Sequence, residues 1–259
     1  MRMATKIIFL KKTRPKSAIL FTGLPGIGLV GKIAIDHLIM QLKPEKIAEI
    51  VSDSFPPSIR TQGAILDLIK DEIYYVKVAG KEFLFLAGPV QPTLDFRAGS
   101  AQEHFEFAEA IVKAVKELNA REVYTLAGLD IRERRMNSHP KVIIAATSKK
   151  VLESWKEVGV VVDKNEGLIS GAAGLIIGIA KQNGIEGACL MGETSSQLYL
   201  GDHGSAKAML ELLVKKFKFK LNLAELEKEA KNIEEAFSKL TQQLKEQVEQ
   251  ESPNLTYVR

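Results

Sequence analysis

Ile19-Leu-Phe-Thr-Gly-Leu-Pro-Gly-Ile-Gly-Leu-Val-Gly-Lys32 is the stretch that decides how the chain is read. Ile19 to Phe21 have the character of a buried strand, Gly23 to Gly28 allow a tight turn, and Leu29 to Met40 carry helical spacing. A strand, a turn and a helix in that order predict an α/β fold. Two nucleotide motifs overlap the turn. Gly26-x-Gly28-x-x-Gly31 matches the dinucleotide fingerprint, with Asp53 near the end of the next apolar run at the spacing of a ribose-binding acid. As a phosphate loop, Gly26-x-x-x-x-Gly31-Lys32 lacks the Ser or Thr that holds magnesium, because Ile33 follows. The last glycine and the lysine also fall inside the apolar-periodic segment Leu29, Val30, Ile33, Ile35, Leu38. The favoured expectation is that these glycines let a helix pack closely on a sheet, and the alternative is a nucleotide- or nucleoside-binding enzyme or sensor using Gly26, Gly28 and Gly31.

Outward from this stretch, Lys6 to Leu10 and Ala18 to Phe21 read as strands around a basic turn. Ile47 to Val51 is a further strand after Pro44. Ala64 to Ile69, Ile73 to Val78 and Phe83 to Ala87 are expected to form a hairpin meander. From Ser100 the spacing turns helical through Phe105, Ala108, Ile111, Val112 and Val115. Val123 to Ala127, Val142 to Ala146 and Gly187 to Met191 are apolar without polar alternation, as in parallel strands covered on both faces. Val151 to Val158, Ser170 to Gln182 and His203 to Phe217 supply the helices between and after them. The expected architecture is a three-layer α/β sandwich with a mostly parallel sheet. Gly171, Gly174 and Gly178 recur on one face of an otherwise apolar helix, which predicts a flat packing face against a sheet or another subunit.

Composition narrows the function. With 46% hydrophobic and 26% charged residues among 259, the chain is not a disordered protein. Its single cysteine, Cys189, excludes an internal disulfide and a cysteine metal site, and is read as a small buried hydrophobe. No apolar run reaches bilayer length and Met1 to Lys6 lacks a signal core, so a cytoplasmic protein without a membrane role is expected. The net charge of +4 is divided unevenly: residues 1–221 carry +7 and residues 222–251 carry −4. Arg132, Arg134 and Arg135, and Lys215, Lys216, Lys218 and Lys220, are read as solvated surface rather than a nucleic-acid footprint, with Phe217 and Phe219 turned inward.

Catalytic chemistry is sparse. His37, His104, His139 and His203 are scattered without metal-ligand spacing, and no nucleophile elbow is present. No cofactor or metal is expected. Glu193 and His203 near a strand end could form an acid–base pair, but Thr194, Ser195, Ser196 and Asp202 are better read as loop and helix-cap residues. The tail is more specific. Leu223, Leu226, Ala230, Ile233, Phe237, Leu240 and Leu244 alternate three and four apart, the rhythm of a helix with one narrow apolar seam. A helix from Asn222 to about Gln250 would span roughly 45 Å, seeking the body, another subunit or a partner.

Taken together, the Gly23 to Gly28 turn, Gly167-Leu-Ile-Ser-Gly-Ala-Ala-Gly174, Gly192-Glu193-Thr194 after a strand, and Asp202 at the head of a helix resemble the archaeal homologues of the proteasome assembly chaperones, the family named after the second eukaryotic chaperone subunit. The resemblance covers about residues 17 to 215. It implies a domain distantly similar to nucleoside phosphorylases, a homo-oligomer in the tetramer or pentamer range, and protein binding without catalysis. It divides the chain into a globular domain over 1–221, a heptad-patterned helix over 222–251 and a docking peptide over 252–259. The implied partner is the proteasome α ring or a related assembly factor. In members of the family that engage the proteasome, a terminal hydrophobic–tyrosine–any residue tripeptide inserts between α-ring subunits. Here the end is Leu255-Thr-Tyr257-Val258-Arg259, with the tyrosine one place early. Leu255, Tyr257, Val258 and Arg259 are the implied partner-binding residues, Tyr257 as the hydrophobic member and Val258 in the tyrosine's place. The body, through the helix from Ser170 to Ala180, is expected to set the oligomer.

Overall fold

A computed structural model describes residues 5–92, 101–163, 166–233 and 235–236. Among the described residues the elements run β1 (Lys6–Phe9), β2 (Ala18–Thr22), α1 (Val30–Leu42), β3 (Glu45–Val51), β4 (Ile59–Gln62), β5 (Ile65–Leu68), β6 (Asp71–Val78), β7 (Lys81–Ala87), α2 (Ala101–Glu117), β8 (Ala120–Asp130), β9 (Val142–Ala146), α3 (Lys149–Lys156), α4 (Gly171–Gln182), β10 (Glu186–Thr194) and α5 (His203–Phe217), followed by a helical segment at 224–233.

Eight strands form one sheet in the order β1-β3-β6-β7-β2-β8-β10-β9. Its centre, β7, β2, β8 and β10, is a continuous parallel run. β3 shares that direction, whereas β1, β6 and β9 run against it. β2 lies in the middle, as expected of a short apolar strand buried on both faces. Its side chains alternate: Leu20 joins the core under α2 and α4, and Phe21 joins the core under α1, α3 and α5. β7 splits in the same way, with Leu84 and Leu86 on one side and Phe83 and Phe85 on the other.

The second core is aromatic. Phe21 stacks on Tyr124 at 5.4 Å between ring centroids and meets Phe217 edge-on at 5.2 Å, while Phe83 meets Phe219 at 4.8 Å. Such pairs add about 0.5–1.5 kcal/mol each beyond buried area. α5 ends at Lys218 with φ 61, so the backbone turns sharply there and both phenylalanines point inward, as their alternation with lysines predicts.

Three expectations are corrected. Residues 65–68 pair with 59–62 instead of with β6, so β4 and β5 form a separate hairpin. Pro56 and Pro57 carry the chain off the sheet before it pairs. β9 is an antiparallel edge strand, not an internal parallel one, because the short connection from β8 places it beyond β10. On α4 the glycines do not make a flat face against the sheet: Gly178 looks into open space, and Gly174 faces the Ile169 carbonyl of the preceding loop. The apolar residues Ile176, Ile177 and Ile179 are buried within the chain, where α4 packs on α2, β8 and β10.

Candidate functional site

The parallel strands β2, β8 and β10 end together at Thr22, Asp130 and Thr194, the side of an α/β sheet where ligands usually bind. The chain leaves β2 through the glycine turn and a 3-10 segment, Ile27–Leu29, before α1. A Cβ at Gly31 would overlap the Leu126 carbonyl oxygen, so the first turn of α1 rests directly on the β8 backbone. Gly28 has φ 59, a left-handed conformation open to glycine, and a Cβ there would overlap the Thr194 hydroxyl. Its carbonyl accepts a 2.7 Å hydrogen bond from the Asp202 amide. Chain from β10 and the α5 entry therefore closes over the turn. β3, which carries Asp53 beyond its end, is separated from β2 by two strands, β6 and β7. These glycines serve close packing, and Lys32 pairs with Asp36 one turn along α1.

Beside the turn lies a buried polar node. Asp202 caps α5, its Oδ1 accepting from the Ser205 amide at 2.9 Å. Arg135 meets it through two hydrogen bonds, Nε to Oδ2 at 2.7 Å and Nη2 to Oδ1 at 2.8 Å. Thr194 Oγ1 donates to Asp202 Oδ2 at 2.9 Å. Arg135 Nη1 also donates to the Ser138 carbonyl at 3.1 Å. Both carboxylate oxygens thus accept two hydrogen bonds, which leaves no lone pair for taking a proton from a substrate. Arg135 was expected on the solvated surface with Arg132 and Arg134; it is buried, because its partner is 67 residues away in sequence and next to it in space. Glu193 and His203 do not bond each other: Glu193 Oε2 accepts from the Lys141 amide at 3.0 Å.

A cleft of about 530 Å³ opens between the glycine turn, the ends of β2, β8 and β10, and the start of α4. Leu24, Ile27, Leu129, Leu168, Ile169 and Met191 give it an apolar wall, and Gln91 crosses it, donating to the Pro25 carbonyl at 2.6 Å. Among the described lining residues the charged group is Asp130, with no lysine, arginine or histidine. Burial pushes the Asp130 carboxyl up, but amides of Arg132 and Ser196 bonded to it hold it below the ordinary carboxylate range.

Elsewhere, Cys189 is buried under α4 and burial pushes its thiol up to about 11, which leaves it protonated and inert. Among the described residues no group of three or more His, Cys, Asp or Glu could hold a metal, and no helix is long and apolar enough to cross a membrane.

The heptad segment begins against the body. Asn222 accepts at its carbonyl from His37 Nε2, 2.8 Å away on α1. Its side chain takes the Ala224 amide at 3.0 Å, and residues 224–233 are helical. Leu226 is buried beside α1 and α5, and Glu227 bridges to Lys207 of α5 at 3.4 Å. The remainder of the expected long helix beyond residue 236, and the partner-binding residues Leu255, Tyr257, Val258 and Arg259, lie outside the described residues.

The three-layer α/β domain with its mostly parallel central sheet is a fold shared with solved protein structures. The chain belongs to the PAC2 family, whose model matches residues 20–241. It is 32% identical to Pyrococcus furiosus PbaB, an archaeal proteasome activator, with a TM-score of 0.83 over 92% of this chain and 99% of that one. P. furiosus PbaA, an archaeal homologue of proteasome-assembly chaperone, shares the fold at 24% identity, with a TM-score of 0.73 and 96% of each chain covered. An uncharacterised protein of Methanocaldococcus jannaschii is 37% identical over 226 residues, 87% of this chain and 83% of that protein.

Proposed function

We propose that this protein is a non-catalytic, homo-oligomeric proteasome assembly chaperone or adaptor, whose C-terminal segment engages the proteasome α ring or a related assembly factor. The observation that carries the reading is the pinned start of the C-terminal helix, where Asn222, Leu226 and Glu227 are held by α1 and α5. The likeness to an archaeal proteasome activator supports the choice of partner. A non-catalytic role agrees with the node at the strand ends, where Asp202 has its acceptor positions filled. The cytoplasm is the compartment that suits such a partner.

Tyr257 and Val258 supply apolar contacts, Leu255 and Arg259 flank them, and repetition of the tail on several subunits raises its effective concentration. Pull-down of α-ring subunits tests this with the full chain, a chain ending at Ser252, and Tyr257→Ala. Capture by the full chain, lost from both variants, is the expected result. Equal capture by all three removes the tail from the mechanism.

A further inference from the structure

The β4–β5 hairpin has two faces of different chemistry. Its register, Ile59↔Leu68, Arg60↔Asp67, Thr61↔Leu66 and Gln62↔Ile65, places Ile59, Thr61, Leu66 and Leu68 on one face and Arg60, Gln62, Ile65 and Asp67 on the other. Only the second is suited to water, yet the apolar face is open as well, with Ile59 58%, Leu66 64% and Leu68 51% exposed. The ribbon is nonetheless sharply built. Gly63 and Ala64 have φ of 56 and 63, the signature of a two-residue turn whose twist matches the strands, and alanine holds that conformation at a strain cost. An isolated two-stranded ribbon is marginal in water. A stiff ribbon with an uncovered apolar face is the geometry of a contact surface.

We infer that the apolar face of the β4–β5 hairpin is a contact between two copies of this chain, packed face to face about a two-fold axis. Charge selects this occupant. Residues 1–221 carry +7, which opposes self-association over most of the surface. Around the hairpin the charges cancel, three against three: Lys70 lies 2.8 Å from Asp67 and 3.2 Å from Glu49, Lys46 lies 2.8 Å from Glu49 and 2.9 Å from Glu72, and Arg60 stands opposite Asp67. An acidic partner finds no excess positive charge here, whereas an identical face meets no repulsion. A two-fold contact needs such a self-complementary patch. The face adjoins a groove of about 700 Å³ between the hairpin and α1, where Ile39, Met40, Ile59 and Tyr74 lie beside two charges of each sign, Lys32 and Arg60 with Asp36 and Glu72. That adjoining surface matters, because a standard interface buries about 800 Å² per partner.

The inference rests on the proposed function only for the existence of an assembly, and its test separates the two. Light scattering gives the mass of the full chain, of Leu66→Glu/Leu68→Glu on the apolar face, and of Ile65→Glu on the opposite face. The expected result is a multi-chain wild type, a mass lowered about twofold or more for the double variant, and no change for Ile65→Glu. Circular dichroism controls for folding. A wild-type mass for the double variant, dissociation by Ile65→Glu, or a monomeric wild type would each overturn the inference. Capture of α-ring subunits is scored on the same samples: capture without any hairpin effect leaves the proteasome reading standing, and a hairpin effect without capture leaves the contact standing alone.

Discussion

Arg135 and Asp202 form a two-pronged ion pair, with side chains only 3% and 2% exposed. The pair clamps the segment after β8 to the start of α5, and Thr194 ties it to β10. Removing one partner strands a charge in the interior, which costs about 3–5 kcal/mol. Asp202→Ala is therefore expected to lower the unfolding free energy by that amount, read from urea denaturation, and Arg135→Lys, which keeps the charge but loses the fork, by less. Replacing both residues with apolar ones of similar volume should recover part of the loss. An unchanged midpoint for Asp202→Ala would show the node to be inconsequential.

Asp71 gives stability a pH dependence. It is fully buried at the start of β6, packed so tightly on Gly88 that a Cβ there would overlap its carboxyl group. Burial pushes its carboxyl well above the ordinary 3.8, and the Val90 amide and the Lys32 charge offset only part of this. A raised native pKa favours the folded state fully below the unfolded value, and that contribution is lost as pH rises through the native value. Denaturant titrations of wild type should thus show stability falling from about pH 4 upward, with a flatter profile for Asp71→Asn and a higher midpoint for that variant at pH 8. Parallel profiles would remove Asp71 as the source.

The glycine turn is expected to tolerate no side chain and to bind no nucleotide. Gly31→Ala forces a methyl group onto the Leu126 carbonyl and should cost about 3 kcal/mol or more, read from the denaturation midpoint. Calorimetry of the wild type with NAD, ATP and nucleosides should give no micromolar binding. Micromolar heat abolished by Gly28→Val would instead establish the nucleotide reading.

Leu226 and His37 hold the root of the C-terminal helix, and their loss should loosen that helix without unfolding the body. Leu226→Ala is expected to speed hydrogen exchange over residues 224–233 by about tenfold or more, with exchange in β2 and β8 unchanged. Uniform acceleration across the sheet would mean that the helix is part of the global core.

Much of this architecture is legible along the chain because it rests on local chemistry. An apolar run, a glycine cluster and a 3.6-residue rhythm suffice to place β2 and α1, and Phe217 and Phe219 betray their inward direction by alternating with lysines. Arg135 is not legible that way. Its local setting, Arg-Glu-Arg-Arg, is that of solvated surface, and only the close approach of Asp202, 67 residues later, makes its burial tolerable. The β4–β5 hairpin was hidden for another reason: Ile59 and Arg60 follow two prolines, and an apolar run at 64–69 pairs as readily with the strand before it as with the one after. The cleft at the strand ends is assembled from β2, β8, β10 and the start of α4, so no single stretch announces it.

The bond from the Asp202 amide to the Gly28 carbonyl joins the entrance of α5 to the entrance of α1. Those are the two helices on which the C-terminal segment is seated. A pull along that segment is therefore delivered to a single braced layer, and its line of force reaches the central strands β2 and β10 through their ends.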